Sequence, residues 1–327
     1  MAARILGKAQ VEQLLPMDQC IRCVRAGLMA LSQGDALSPL RQIMDLPEQG
    51  AVLGLMPGWL GHPSCFGVKV TSVYPENHRR GLPSHQGLIV VFDAQDGRVL
   101  GAVDGGAVTA IRTAAASAVA TEALARADAH RLAILGYGAQ ATTHLEAMRL
   151  VRNIDWVRVW GRDPGKAQAF AHAASMRFEV PVQAASDPAS CVANADIICT
   201  VTAATDPILL GCDVPAGAHL NVVGSSRARE AEIDAALVRR ARLFADYRPG
   251  LLAQGGEFLR AKAAGIVDDG HVLGELGEVL LGRILGRETH SDVTIYKSLG
   301  HIVEDLVSAA HVLEAAARCG IGAEVSL

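Results

Sequence analysis

The chain carries no excess of basic charge. Lys and Arg number 30, Asp and Glu 34, and the net charge is −4. A nucleic-acid binder usually shows a basic face or stripe, so no nucleic-acid partner is expected. No apolar run reaches 18 residues, which excludes a membrane-spanning helix and leaves no membrane partner to expect. The segment Met1–Gln10 holds basic residues but lacks the apolar core of a secretory leader, so the expected location is the cytoplasm. Low-complexity tracts are missing, half of the residues are apolar and a fifth are charged, and disorder is thereby excluded for most of the chain. A disulfide or zinc framework is missing too. Cysteines number seven, an odd count, and Cys20–Cys23 is the only C-x-x-C, in a helical stretch with no second pair at zinc spacing. The eleven histidines form neither H-E-x-x-H nor H-x-H, so no metal is expected. Aromatics make up only 4%. What remains is a chain rich in Ala and Gly, and 327 residues at roughly 150 per domain suggest two domains.

The first third reads as mostly β with one leading helix. Val11, Leu14, Leu15, Ile21, Val24 and Leu28 follow a helical period over residues 11–33, with Pro16 as a kink or a true start. Strand-like runs follow at 51–56 and 65–74. A hairpin is expected from 88–93 and 98–104, turning at Asp96-Gly97. The texture changes near residue 107. An Ala-rich helix over 107–126 leads into alternating strands and helices: strands at 131–135, 156–160, 180–184, 196–201, 219–223 and 242–247, helices at 139–151 and 164–175. That alternation signals a parallel, doubly wound sheet. A last helix is expected from about Lys297 to Arg318, with Ile302, Leu306, Ala309 and Leu313 on one face.

The strongest chemical signal is Gly136-Tyr137-Gly138-Ala139-Gln140-Ala141, a G-x-G-x-x-A placed after a strand and opening a helix. Gly136 permits the tight turn. Gly138 lets a pyrophosphate approach the backbone, and Ala141 lets helix and strand pack closely. The helix N-terminus then offers N–H groups and a positive dipole end to phosphate. These residues are expected to bind a dinucleotide. An NAD-type site would place an acid at the end of the second strand, where this sequence has Gly161 and then Arg162. Arg pairs well with a 2′-phosphate, so NADP(H) is expected over NAD(H), with NAD(H) possible if Asp163 supplies the acid. The other role open to Asp163 is N-cap of the helix that starts at Pro164.

Further blocks complete a pattern: Gly67-Val-Lys69-Val, Leu82-Pro-Ser-His-Gln-Gly87, Asp104-Gly-Gly-Ala-Val-Thr-Ala-Ile-Arg112-Thr-Ala-Ala-Ala-Ser117, Val223-Gly-Ser-Ser226 and Lys297-Ser-Leu-Gly300. Together with the glycine loop they resemble the ornithine cyclodeaminase/μ-crystallin family over nearly the whole chain. The resemblance implies a Rossmann-type doubly wound sheet plus an α+β substrate and dimerisation domain. Residues 1–114 with 300–327 would form the latter, 115–299 the dinucleotide domain, and the protein would be a homodimer. It further implies that Arg41, Lys69 and Arg112 bind substrate, with Lys69 and Arg112 also catalytic. Convergent cations suit an α-carboxylate, which Arg can grip with two hydrogen bonds. Ser298 and Gly300 would join the cofactor site, and Ser226 the substrate site; Thr202, at the end of the strand 196–201, is expected at the cofactor site because loops at the carboxyl ends of parallel strands line the crevice.

One departure narrows the activity. Cyclodeaminases carry an Asp at the position of Ser226, and a serine hydroxyl has no useful basicity near neutral pH without an activating base. The chain resembles the ketimine-reductase branch better. The resemblance therefore implies NADPH-dependent reduction of a small cyclic imine such as Δ1-pyrroline-2-carboxylate or Δ1-piperideine-2-carboxylate, with Lys69 donating the proton. The alternatives are an ornithine cyclodeaminase with NAD, an alanine or N-alkylamino-acid dehydrogenase, and a non-catalytic binding protein. His85 and Glu275 are weaker candidates, each with a structural role to weigh against a functional one.

Overall fold

The computed structural model describes residues 2–47 and 50–326, so Met1 lies outside it. The chain divides into two compact units, Met1–Arg112 with His301–Leu327, and Thr113–Gly300.

Among the described residues, the first unit is built on an eight-stranded sheet. Its order is Ala323–Ser326, Ala2–Leu6, Val99–Asp104, His85–Asp93, Cys65–Val73, Val52–Leu60 and Ala36–Leu37, with Gln42–Asp45 also paired to Val52–Leu60. All pairings are antiparallel except Ala2–Leu6 with Val99–Asp104. The expected hairpin forms, and Gly97 takes the left-handed conformation (φ 76°) that its turn needs. Pro16 marks a true start: helices Lys8–Leu14 and Met17–Gln33 meet there, with Pro16 as N-cap of the second. The final helix, Ile302–Cys319, lies on one sheet face and against Met17–Gln33. Gly67 and Gly101 make that approach possible. A methyl on either would come within 2.9 and 2.5 Å of Leu306 and Leu313 on the helix.

The opposite face of this sheet is apolar. Trp59, Phe66 and Phe92 stand in register across three strands, and the rings of Phe66 and Phe92 stack at 5.1 Å. Pro57, Val68, Val90 and Ala102 form the next rung. Phe66 is 38% exposed and Leu88 48%.

The second unit is a parallel sheet of eight strands. The order is Val182–Ala184, Trp156–Trp160, Arg131–Leu135, Ile197–Thr200, His219–Val222, Thr294–Lys297, Arg242–Ala245 and Val272–Glu275. The first three strands run outward in one direction and the fourth starts the other half. The switch point therefore lies between Arg131–Leu135 and Ile197–Thr200, where a doubly wound sheet opens its ligand crevice. Leu132 to Leu135 and Ile197 to Thr200 are buried throughout, as strands covered on both faces must be.

Several bounds shift by a few residues, and at one of them the type of element changes. Lys297 ends a strand instead of opening the final helix, which starts at Ile302. Thr294-Ile-Tyr is β-prone, and Gly300 in the left-handed region (φ 73°) breaks the chain before the helix.

Candidate functional site

In the first unit, Lys69 alternates inward with Cys65 and Gly67, so a lysine occupies a core-facing position of its strand. Arg112 lies on the helix Gly105–Leu124, whose start is held by the Asp104 carboxylate accepting from the N–H of Ala107 at 2.7 Å. Both cations are 5% exposed. The structure brings them onto two acids of the final helix. Asp305 Oδ1 accepts from Lys69 Nζ at 2.9 Å and from Arg112 Nε at 3.0 Å, and Glu304 Oε2 accepts from Arg112 Nη1 at 2.6 Å. Lys69 also donates to the Thr109 hydroxyl at 2.6 Å. Arg41, half-buried, stands near enough for its charge to act on Lys69.

The electrostatics of this cluster follow from burial. Desolvation lowers Lys69 to about 8; Asp305 opposes the shift, and Arg112 and Arg41 add to it. Burial raises Glu304 to about 7 against the pull of Arg112, with Asp305 helping the rise. Burial also works upward on Asp305, but Arg112 and Lys69 outweigh it and hold its carboxyl below the ordinary value. The cluster can therefore grip an anion and keep a proton available near neutral pH.

Sequence reasoning found the cations and missed the two acids. The signal was present: Asp305 stands three residues after Ile302, on the stripe the helix buries.

In the second unit the glycine loop has the geometry a dinucleotide needs. Gly136 (φ 130°) lies so close to the neighbouring strand end that a Cβ there would sit 2.8 Å from the Val201 carbonyl. Gly138 is the extended N-cap of the helix Ala139–Val151, and a Cβ there would have no atom within 4 Å. The ground before that helix is open, and its first N–H groups, of Ala139 and Gln140, have no carbonyl behind them in the helix. Ala141 is buried against the sheet. The residues present thus fit a pyrophosphate. Within the helix, His144 Nδ1 donates to the Gln140 carbonyl at 2.7 Å, and its Nε2 accepts from Ser117 at 2.9 Å.

At the second strand's end, Gly161 follows Trp160 directly, and Arg162 is exposed. Asp163 is the N-cap of Pro164–Phe178, accepting from the N–H of Lys166 at 3.1 Å. Tyr137 sets the character of this corner. Its ring lies against Gly161 so closely that a Cβ there would fall 2.1 Å from a ring carbon.

Around the ends of the central strands, two buried carboxylates organise the loops, and sequence reasoning missed both. Glu232 accepts from the hydroxyls of Thr200 and Thr202 and from the N–H groups of Thr202 and Gly224, each at 2.7 Å. Glu257 accepts from the Ser225 hydroxyl and pairs with Lys297 at 3.2 Å. Lys297 Nζ also donates to the Ser225 carbonyl and hydroxyl at 2.7 Å. Ser225 is thus the buried, bonded serine. Ser226 is half-buried, and its N–H reaches Glu230 at 3.3 Å. Neither serine caps a helix; the next helix, Ala235–Arg240, is capped by Asp234. Ser298 is buried, and Gly300 donates its N–H to Asp246 at 2.6 Å. Glu275 precedes the short helix Leu276–Leu280 and accepts from the N–H of Arg248 at 3.0 Å. His85 is exposed at a strand start beside Ser84. Among the described residues no group of three or more His, Cys, Asp or Glu is arranged to hold a metal, and no helix is long and apolar enough to cross a membrane.

The parallel sheet, the glycine loop at its switch point and the α+β unit beside it in sequence define the class: an NAD(P)H-dependent oxidoreductase of Rossmann type. The chain belongs to the ornithine cyclodeaminase/mu-crystallin family, whose sequence model matches residues 1–319. It is 36% identical over 277 residues to the ketimine reductase mu-crystallin of Mus musculus, covering 84% of each chain. The solved structure of Thermococcus litoralis Δ1-pyrroline-2-carboxylate reductase with NADH and L-proline superposes with a TM-score of 0.96 at 34% identity, covering 98% of this chain and all of that one. An archaeal alanine dehydrogenase dimer with bound NAD superposes at 0.94 with 26% identity over the full length of both.

Proposed function

We propose that this chain reduces a small cyclic ketimine carboxylate, Δ1-pyrroline-2-carboxylate or Δ1-piperideine-2-carboxylate, to the cyclic L-amino acid, and prefers NADPH to NADH. The observation that carries this is the trio Arg41, Lys69 and Arg112, two of them buried on an acid pair. Arg112 and Arg41 hold the substrate carboxylate. Lys69 is the proton donor to the imine nitrogen: with its ammonium lowered to about 8, it is charged at neutral pH and gives up its proton more readily than an ordinary lysine. Ser226 contributes a hydroxyl to the substrate side. The reduced nicotinamide supplies the hydride to the imine carbon. Gly136, Tyr137, Gly138, Ala139, Gln140 and Ala141 hold the pyrophosphate end, and Thr202, Ser298 and Gly300 line the nicotinamide end. NADPH preference is supported by Gly161, which removes the ribose-binding acid, by the exposed Arg162 beside it, and by the engagement of Asp163 as a cap.

Residues 1–114 with 300–327 bind substrate and dimerise, and 115–299 bind the dinucleotide. The apolar sheet face bearing Trp59, Phe66 and Phe92 supports a homodimer, because monomers rarely expose so contiguous a patch. The names of the mouse and Thermococcus relatives support the substrate class, and the archaeal dimer supports the assembly.

The test is oxidation of NADPH followed by absorbance, with Δ1-pyrroline-2-carboxylate as substrate. NADH, pyruvate with ammonia, and ornithine with NAD run in parallel. Fast oxidation with the imine alone is expected. Ammonia release from ornithine without imine reduction would overturn the proposal in favour of cyclodeamination, and tight dinucleotide binding with no turnover would favour a binding protein.

A further inference from the structure

Glu304 and Asp305 occupy the first turn of the final helix, and both are fully buried. A pocket built only to hold an α-carboxylate has no need of two acids beneath its cations. Asp305 Oδ1 is doubly compensated, by Lys69 and by Arg112. Among the described residues Glu304 has a single hydrogen-bonded cation, Arg112. The remaining oxygens, Glu304 Oε1 and Asp305 Oδ2, accept no hydrogen bond from the described residues. A buried ionised carboxylate left so poorly paired is costly.

The charged and titratable groups that act on Glu304 come from several elements around it. Arg112 approaches from the helix Gly105–Leu124, Lys69 from the strand Cys65–Val73, and Asp305 from its own helix. The imidazole of His301 lies 3.5 Å from Oε1, and the buried thiol of Cys20 lies within reach of its charge from the helix Met17–Gln33. One guanidinium is therefore shared by two internal carboxylates. A substrate carboxylate on Arg112 makes a third, and among the described residues Glu304 has no second hydrogen-bonded cation to retain.

We propose that Glu304 is a positioning residue that takes up a proton from solvent when an α-carboxylate binds on Arg112, so that substrate binding is proton-linked. This rests on the carboxylate-binding role of Arg112 given above. The balance is simple: one anion enters the cluster, one carboxylate becomes a neutral acid, and no bond in the substrate changes. The proton ends on the Glu304 carboxyl group, whose burial already favours the neutral form. Below about pH 7 Glu304 is protonated before the ligand arrives, and affinity is full. As pH rises above that value each binding event must recruit a proton, and affinity falls by at most about tenfold per pH unit.

The experiment uses the full chain and pyrrole-2-carboxylate, a planar ring acid with no group that titrates between pH 6 and 8. Calorimetric titration in two buffers of different ionisation enthalpy gives the protons taken up. At pH 7 the wild-type protein is expected to take up about half a proton, and its Kd to rise about tenfold from pH 6 to pH 8. Glu304→Gln, which imitates the protonated acid, is expected to abolish the uptake at pH 7 and to reduce the Kd ratio below about twofold. Any remainder near pH 8 belongs to Lys69 and survives in this variant. His301→Asn is expected to keep the uptake. Binding without proton uptake by the wild-type protein overturns the proposal whether or not any variant folds. Loss of the uptake in His301→Asn overturns it too, because the proton would then reside on the imidazole. Failure of the wild-type protein to bind the probe at all would instead strike the carboxylate-binding role.

Discussion

Replacing Lys69 by Met removes the ammonium while keeping an unbranched side chain of similar length in a core-facing strand position. In the wild-type protein that ammonium donates to Asp305 and Thr109 and is 5% exposed. Arg112, which lies 3.0 Å from Asp305 in the wild-type protein, remains as a cation for that carboxylate, so the lost pairing is partly compensated and the fold is expected to persist. A positioned general acid contributes about 10²- to 10⁴-fold, and kcat for imine reduction is expected to fall by that amount. The dinucleotide loop lies in the other unit of the chain, so the Kd for NADPH is expected to change less than about twofold, a shift well below 1 kcal/mol. The pH profile adds a sign. The acting form is the ammonium, lowered to about 8, so wild-type kcat should hold below pH 8 and fall toward tenfold per unit above it. The variant should lose that upper limb. Stopped-flow oxidation of NADPH at pH 6–9, with fluorescence titration for binding, measures all three quantities. Turnover within threefold of wild type, or an unchanged limb above pH 8, would refute the assignment of the proton to Lys69.

Gly161→Asp alone should lower dinucleotide affinity through collision with the Tyr137 ring, whereas Tyr137→Ala with Gly161→Asp should move the kcat/KM ratio at least about tenfold toward NADH; an unmoved ratio in the double variant would show that this corner does not read the ribose. Asp196 accepts from Arg131 at 2.8 and 3.0 Å and from Arg126 at 2.6 Å, and these partners hold its carboxyl far below the ordinary value in spite of burial. Its contribution to stability is therefore present above the unfolded carboxyl value near 4 and lost as pH falls below it. Asp196→Ala should cost about 3 kcal/mol in urea unfolding at pH 7, and the deficit should shrink on acidification. Phe66→Asp places a charge on the apolar sheet face and should convert a dimer to monomers in sedimentation velocity; a persistent dimer would locate the interface elsewhere.

The elements most legible in the sequence were those whose signal is local. The strands Arg131–Leu135 and Trp156–Trp160 and the helix Ala139–Val151 match the expected bounds, because glycine-loop chemistry and apolar runs mark them within a few residues. The Asp163 cap was legible for the same reason: an acid before a proline is a helix start. The strands Ala2–Leu6, Val272–Glu275 and Ala323–Ser326 were not foreseen. Each is four or five residues long and gains its order from a partner strand distant in sequence. At the candidate site, Lys69 and Arg112 were found through the family pattern, yet their immediate partners were not.

The sequence by itself determined the class of this protein. Loop glycines, strand and helix periods, the acid missing at Gly161 and the run from Asp104 to Ser117 all act through near neighbours along the chain. Tertiary structure alone decided which charges meet. Lys69 and Asp305 are 236 positions apart, Arg112 and Glu304 are 192, and Lys297 and Ser225 are 72. No local propensity encodes such a contact. It exists because the final helix packs back on the first sheet and because burial makes an unpaired charge too costly to leave without a partner.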